Sequence, residues 1–148
     1  MIKNQYLLFS LPFMIIGIAM ILLGARWMIV SEPWMLDQVA NEDRLEMTFN
    51  ELFKSEINKT LPDYLKQIYR FFGLWVIVIG LLVVSFSMPD LIKNVTIRIR
   101  LLISIGAMIA TGTIMGYIWI PNSPFIYLSW GLILFYCTSL YAHFKIDK

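Results

Sequence analysis

Three acidic side chains and one histidine are the residues of this chain best suited to metal chemistry. Glu42, Asp43 and Glu46 stand close together, and carboxylates at i and i+4 share one helix face, a spacing that could hold Ca²⁺. Because no Asp-x-Asp-x-Asp-Gly loop accompanies them, we interpret them as an acidic first turn that complements a helix dipole. His143 is the sole histidine, and zinc, haem or di-iron ligation within one chain normally needs more ligands. The sequence therefore predicts no metal site and no cofactor, and His143 is interpreted as an interfacial or helix-terminal residue.

The remaining chemically distinctive residues are one cysteine and one boundary arginine. Cys137 is the only cysteine and lies in an apolar run, so it forms no disulfide within the chain and is interpreted as a buried packing residue. Arg70 stands where an apolar run begins, and we expect it to pair with Asp63, Glu46 or a lipid phosphate. A Ser/His/Asp triad would need His143 beside the carboxylates, on the opposite side of the predicted membrane. The sequence predicts no catalytic residue and points away from an enzyme.

Composition places the chain in a membrane. Of its 148 residues 59% are hydrophobic and only 15% are charged, and the mean hydropathy is +0.71. A soluble protein is about half apolar and a quarter charged. The length allows a single domain, residues 1–148. The net charge of +2 is small and dispersed, whereas nucleic-acid binders concentrate Lys and Arg on one face, so nucleic acid is excluded as a partner.

Four apolar runs predict four transmembrane helices, because about 20 helical residues span the ~30 Å hydrocarbon core. The predicted helices cover about residues 7–27, 68–88, 99–119 and 125–144. Eight of the ten carboxylates fall within residues 31–70, which must therefore lie in water. The predicted fold is an all-α four-transmembrane-helix bundle with an extracytoplasmic amphipathic helical insert, residues 31–67, between helices 1 and 2.

The insert carries the candidate interaction face of the protein. Asp43 followed by Glu46 resembles a capping box, which predicts that a helix begins there. Apolar residues then recur at helical spacing and need a surface to cover: Leu45, Phe49, Leu52, Phe53 and Ile57. They pack either on this chain's own bundle or on another protein, and the exposure of Phe49 and Phe53 distinguishes the two. The tripeptide at Asn58 also fits the N-glycosylation pattern.

Basic residues predict the orientation of the helices. The side that carries the two termini and the connection between helices 2 and 3 has six bases in about twenty residues: Lys3, Lys93, Arg98, Arg100, Lys145 and Lys148. The other side has as many, diluted over a longer stretch with eight acids. Cytoplasmic connections carry the excess of Lys and Arg. We therefore expect a multi-pass membrane protein with both termini in the cytoplasm.

Small residues predict how the helices pack, since helices in lipid associate where their backbones approach closely. Helices 1 and 2 both carry glycines spaced by seven, at Gly17 and Gly24 and at Gly73 and Gly80. Helix 3 is richest in small residues and is expected to be the most buried. Its Gly112 and Gly116 form a GxxxG motif, expected to pack against a neighbouring helix or, alternatively, to dimerise the protein.

In size and layout the chain resembles several groups of small four-span membrane proteins, in topology only. It lacks the paired cysteines of claudin-like or tetraspanin-like outer loops and the CxxC of quinone-reducing four-helix enzymes. The leading hypothesis is a non-catalytic bundle that acts as an accessory or interaction subunit through its outer insert. Its partners would be the lipid bilayer and a membrane protein or a second copy. The alternatives are a transporter or oligomeric pore for an uncharged or lipid-like substrate, with a cavity beside Thr111 and Thr113, and a lipid-active enzyme that uses Arg70.

Overall fold

The computed structural model describes the backbone of residues 2–146 and the side chains of residues 4–146, and this part of the chain is helical without any strand. Within residues 2–146 six α-helices follow one another: α1 (Ile2–Ile29), α2 (Gln38–Leu45), α3 (Phe49–Lys54), α4 (Leu61–Phe86), α5 (Val95–Trp119) and α6 (Phe125–Ile146). Two short 3₁₀ helices, Pro33–Asp37 and Glu56–Asn58, flank α2 and α3. Residues 31–60, between α1 and α4, are called the cap below.

By length and composition, α1, α4, α5 and α6 could each cross a membrane. This confirms the predicted all-helical class with four candidate membrane-spanning helices, the pattern of a multi-pass membrane protein. The helices are longer than predicted: α5 begins at Val95 instead of residue 99 because Asn94 caps it, its side chain accepting a hydrogen bond of 2.9 Å from the Thr96 N–H. Arg98 and Arg100, assigned to a connection from sequence, therefore belong to α5.

Interhelical hydrogen bonds show that α1 begins at the end of the bundle where α4 and α6 finish. The Ser10 hydroxyl donates to the Ser87 carbonyl just after α4, and the Ser139 hydroxyl of α6 donates to the Phe9 carbonyl at 2.9 Å. We call this end the terminal end and the opposite one the cap end. Of the bases counted for orientation, Lys148 and the side chain of Lys3 lie outside the described part of the structure.

α1 and α4 pack antiparallel along glycine pairs. A Cβ built on Gly24 would stand 2.6 Å from the Gly73 carbonyl oxygen, and a Cβ on Gly80 would stand 2.7 Å from the Gly17 carbonyl oxygen. Real Cβ atoms do not approach backbone this closely, so only glycine permits the contact. Because Gly17 and Gly24 are seven residues apart, as are Gly73 and Gly80, both pairs fall in one seam.

The centre of the bundle is α1, and the expectation that helix 3 is the most buried was wrong. α1 lies against α4 on one side and α6 on the other, and Phe9, Phe13 and Ile16 are fully or almost fully buried. α5 packs mainly on α6 and makes few contacts with α4. Its small residues Ala107 and Gly112 are exposed, because α5 has one neighbour along most of its length.

The outer face of α6 holds Cys137, which is exposed, so its interpretation as a buried packing residue was wrong. Residues three or four apart share a helix face, and Trp130, Leu134 and Tyr141 are exposed on the same side. The buried residues Ser129, Ser139 and Ala142 lie on other faces of α6. In a membrane Cys137 would therefore face lipid.

Candidate functional site: the cap and a buried arginine

The cap has a small aromatic core of its own. Trp34 is buried, with 4% of its surface exposed, and Phe49 is buried at 5%. The ring centroids of Trp34 and Phe53 lie 5.6 Å apart in an edge-on arrangement, and those of Phe49 and Phe53 lie 5.6 Å apart in a stack. Such distances are favourable for aromatic pairs. The Trp34–Phe49–Phe53 cluster thus joins α3 to the first 3₁₀ helix.

Hydrogen bonds fasten the cap to the bundle at three points. The Ser123 hydroxyl, in the turn between α5 and α6, donates to Asp37 Oδ2 at 2.9 Å. The neighbouring Asn122 amide donates to Asp43 Oδ2 at 2.9 Å. On α4, the Tyr69 hydroxyl accepts from the side-chain amide of Asn41 at 3.1 Å. These bonds join the cap to α4 and to the turn between α5 and α6.

The predicted interaction face is therefore divided. Phe49 is buried in the aromatic core, Phe53 and Leu52 are half-buried, Leu45 is 41% exposed and Ile57 is 88% exposed. By the criterion set from sequence, the part around Phe49 is a structural element of this chain. Leu45 and Ile57 remain available because they lie outside the helix that carries Phe49: Leu45 ends α2 and Ile57 belongs to the second 3₁₀ helix.

We expect Phe49→Ala to loosen the cap and Ile57→Ala to leave it unchanged. Truncating a buried Phe costs about 3–5 kcal/mol in a core, because it removes apolar burial and leaves a cavity. Hydrogen exchange of the α2 and α3 amides should accelerate at least about ten-fold in Phe49→Ala, given that every 1.4 kcal/mol is a factor of ten. Ile57 is 88% exposed and has little contact to lose, so it is the matched control. Equal exchange in the two variants would contradict a core at Phe49.

The helix predicted to start at Asp43 is divided in two, and the predicted capping box was misplaced. Asp43 is near the end of α2, and Glu46 is the C-cap residue with a φ of 55° in the left-handed region. The capping box is formed by Thr48 and Glu51, each of which receives the other's backbone N–H. These hydrogen bonds to Thr48 lower the pKa of Glu51 below the ordinary value of 4.5.

We expect acidification to destabilise α3, because protonation of Glu51 weakens the capping box that it forms with Thr48. A carboxyl whose pKa is lower in the folded state stabilises folding above its unfolded pKa, and that contribution is lost as the pH falls through the folded value. Because the Glu51 pKa is lowered from 4.5, the loss should fall below pH 4.5. Hydrogen exchange of residues 49–54, corrected for intrinsic rates, should accelerate below this pH in the parent. Glu51→Gln should remove most of the pH dependence; an undiminished response would contradict the assignment.

The acidic cluster interpreted as a first turn serves the folding of the cap. Glu42 Oε1 accepts from the Gln38 amide at 3.0 Å and from the Phe49 N–H at 2.9 Å, so this carboxylate joins α2 to α3. Among the described residues, no group of three or more His, Cys, Asp or Glu side chains is placed to hold a metal ion. Because Asp43 is near the end of α2, the three acids do not form a helix's first turn.

Arg70 is exposed on α4 and forms neither of the ion pairs considered for it, with Asp63 or with Glu46, in the described part of the chain. A cleft of about 360 Å³ lies beneath the cap, lined by Trp34, Phe49 and Leu65 with Arg44 and Tyr69. Arg70 is not among the residues that line it. The structure thus brings Arg44, rather than Arg70, to the cleft under the cap.

At the terminal end, Arg98 is a buried charge that the sequence interpretation missed. It is 2% exposed and donates from Nη1 to the carbonyl oxygens of Ile92 at 2.9 Å and Lys93 at 3.2 Å. Its Nε donates to His143 Nδ1 at 3.2 Å, and its guanidinium lies 5.8 Å from the Tyr6 ring centroid. Arg98 therefore ties together α1, the connection before α5, and α6.

One signal for Arg98 was present in the sequence. Asn94 followed by Thr96 is a capping pattern that extends the helix back to residue 95, which places Arg98 one turn inside α5. The same tripeptide, Asn94-Val95-Thr96, also fits the N-glycosylation pattern, which gives no information about where the helix begins. His143 lies three residues before the end of α6, in agreement with its position near a helix terminus, but its role in positioning Arg98 depends on the packing of α5 against α6.

The predicted helix-packing glycines of α5, Gly112 and Gly116, lie apart from the α1–α4 seam. A Cβ on Gly116 would meet Ile126 Cδ1 of α6 at 3.1 Å, whereas a Cβ on Gly112 would meet nothing within 4 Å. Thr111 is exposed, and Thr113 lines a cleft of about 370 Å³ between α5 and α6 that is open to the surface. The expected internal cavity beside both threonines is therefore replaced by a lateral cleft beside Thr113.

Taken together, the described residues form a helical bundle of membrane-spanning length whose polar side chains are used largely for structural hydrogen bonds. The class these features define is that of a multi-pass helical membrane protein. Comparison with protein families, with curated proteins and with solved structures gives no match for this chain.

Proposed function

We propose that the protein is a non-catalytic membrane protein that acts as an accessory or interaction subunit through its cap. The observation that carries the proposal is the combination of a firmly fastened cap and unburied apolar side chains on it. Asp37, Asn41 and Asp43 hold the cap in place, yet Ile57 is 88% exposed and Val39 67% exposed. Large apolar side chains on a fixed surface favour a covering partner.

The proposal includes an orientation, with both termini in the cytoplasm and the cap on the opposite side. The distribution of charge supports it. At the terminal end Lys93, Arg98, Arg100 and Lys145 face a single described carboxylate, Asp90, which lies 3.0 Å from Lys93. The cap carries seven of the eight acids found in residues 31–70. This asymmetry follows the positive-inside rule. A membrane-impermeant thiol reagent should label Ser55→Cys in a Cys137→Ser background on intact cells; labelling only after permeabilisation would reverse the orientation.

Site-specific photo-crosslinking tests the interaction. A crosslinking residue is placed at Ile57 or Val39 and, as the matched control, at Asn50, which is an exposed polar position of the cap. We expect one discrete adduct in native membranes from position 57 or 39 and none from position 50. If the crosslinkers at positions 57 and 39 give the same adduct, a protein that combines the crosslinker at position 39 with Ile57→Asp should give less of that adduct. Purified protein in vesicles distinguishes the partner: an adduct of twice the protomer mass there identifies a second copy.

Adducts of equal yield at all three positions, or none at any, would contradict the proposal. The cap would then be a structural lid. The transport alternative has less support, because the structure replaces the expected internal cavity with an open cleft beside Thr113. The oligomeric-pore form of this alternative requires a second copy that encloses the cleft. A crosslink to a second copy is therefore the outcome that would favour the pore.

A further inference from the structure

A groove at the terminal end separates the last turns of α4 from the first turns of α5. It has a volume of about 410 Å³ and is open at the side. Its walls are apolar, with Leu82 and Phe86 on α4 and Leu101 on α5, and two polar side chains, Arg100 and Ser104, belong to the lining. The groove exists because α5 packs on α6 and makes few contacts with α4. In a membrane it would open towards lipid.

Arg100 gives the groove a charge. The Arg100 side chain makes no hydrogen bond or ion pair with any of the described residues, unlike Arg98, which is held by carbonyl oxygens of the preceding connection. Asp90, the only carboxylate described at this end, is bound to Lys93 at 3.0 Å. A guanidinium at the edge of an apolar groove binds phosphate well, since it offers paired donors and a delocalised charge.

We propose that this groove holds one acyl chain of an anionic phospholipid, with its phosphate bound by Arg100. An open apolar groove suits a hydrocarbon chain, and the Arg100 guanidinium at its edge, which pairs with no described residue, suits an anionic headgroup. Ser104 lies one turn further along α5, on the same face as Arg100, and provides a hydroxyl beneath the phosphate position. A transmembrane helix is the less suitable occupant: a helix is about 10 Å across, so the 410 Å³ groove holds roughly one turn of it.

The binding of two lipids with matched dioleoyl chains, phosphatidylglycerol and phosphatidylcholine, tests the assignment. Native mass spectrometry of the full chain in detergent gives the affinity of each. We expect the parent to prefer phosphatidylglycerol, and Arg100→Gln to reduce that preference about five-fold, the factor equivalent to ~1 kcal/mol per Arg at an anionic surface. Lys93→Gln removes a charge from the same end outside the groove and should retain the preference.

A second variant tests the groove independently of charge. Ser104 is exposed, so Ser104→Phe should fold normally while it fills the groove, and it should weaken the binding of both lipids. Thermal unfolding midpoints equal to that of the parent show that each variant is folded. Equal affinity of the parent for the two lipids would overturn the proposal, as would an equal loss in Lys93→Gln and Arg100→Gln, or unchanged binding in Ser104→Phe. A crosslinked dimer through Leu82→Cys in a Cys137→Ser background would assign the groove to a second copy and overturn the proposal as well.

Discussion

Gly24→Ala is expected to destabilise the bundle, although alanine is a better helix former than glycine. The added methyl group would stand 2.6 Å from the Gly73 carbonyl oxygen and 2.8 Å from Ile77 Cγ1, so α1 and α4 must move apart. Overpacking of this kind costs typically about 1–3 kcal/mol. A second pair, Gly17 and Gly80, lies in the same seam, so the displacement would extend along both helices. The measurement is the unfolding free energy in detergent, followed by loss of helical circular dichroism.

Gly112→Ala is the matched control for this prediction. A Cβ there meets nothing within 4 Å, so the same chemical change adds no clash within the chain. The substitution should be neutral or stabilise α5 by up to about 1 kcal/mol, the helix-propensity difference between Ala and Gly. A Gly24→Ala protein as stable as Gly112→Ala would contradict the glycine seam. A change of oligomeric state in Gly112→Ala would instead support the dimerisation alternative for the GxxxG motif.

The second large effect is expected for Arg98→Leu. The substitution keeps a bulky side chain but removes the donors to the Ile92 carbonyl, the Lys93 carbonyl and His143 Nδ1. Each buried acceptor left without a donor costs about 1–3 kcal/mol, so we expect the unfolding free energy to fall by at least about 2 kcal/mol. Hydrogen exchange should show the loss first in residues 87–98, because the carbonyls that Arg98 holds lie in that connection.

Two further substitutions isolate the role of Arg98. Arg100→Leu removes the same type of side chain two residues later, where it is exposed and bound to no described residue, and should alter stability by less than about 0.5 kcal/mol. Arg98→Lys keeps the charge but not the planar set of donors, and should recover only part of the loss. Equal stability of Arg98→Leu and Arg100→Leu would show that burial of Arg98 contributes nothing to the fold.

The features that the sequence predicted well depend on local or periodic information. Helix length and apolarity are properties of a continuous segment, so four candidate membrane-spanning helices could be recognised. The sevenfold spacing of Gly17 and Gly24 keeps both on one helix face, and their placement against Gly73 and Gly80 needs only an antiparallel neighbour. Where a helix begins within a polar segment depends instead on caps, and Glu46 with its φ of 55° interrupts a periodic pattern that predicted one continuous helix.

The features that were missed depend on which helices become neighbours. Arg98 and Arg100 are both basic residues near a predicted helix end, but only Arg98 points towards α1 and α6. Cys137 and Gly112 are small residues of the type that packs between helices, yet α5 has α6 as its main neighbour and Cys137 lies on an exposed face of α6. The identity of neighbouring helices is a global property, and the composition of one helix does not determine it.

The fastening of the cap has a consequence for how the protein is made. Asp37 and Asp43 precede their partners Ser123 and Asn122 by 86 and 79 residues, so on the ribosome these two carboxylates emerge long before the turn that will bind them. Chains are synthesised and fold from the N-terminus onward. The hairpin of α1 and α4 can close along its glycines with the cap held to α4 by the Asn41–Tyr69 hydrogen bond, and the cap gains its two other hydrogen bonds only when the final hairpin has been inserted. Insertion of α5 and α6 therefore completes the attachment of the cap, a segment that is translated much earlier.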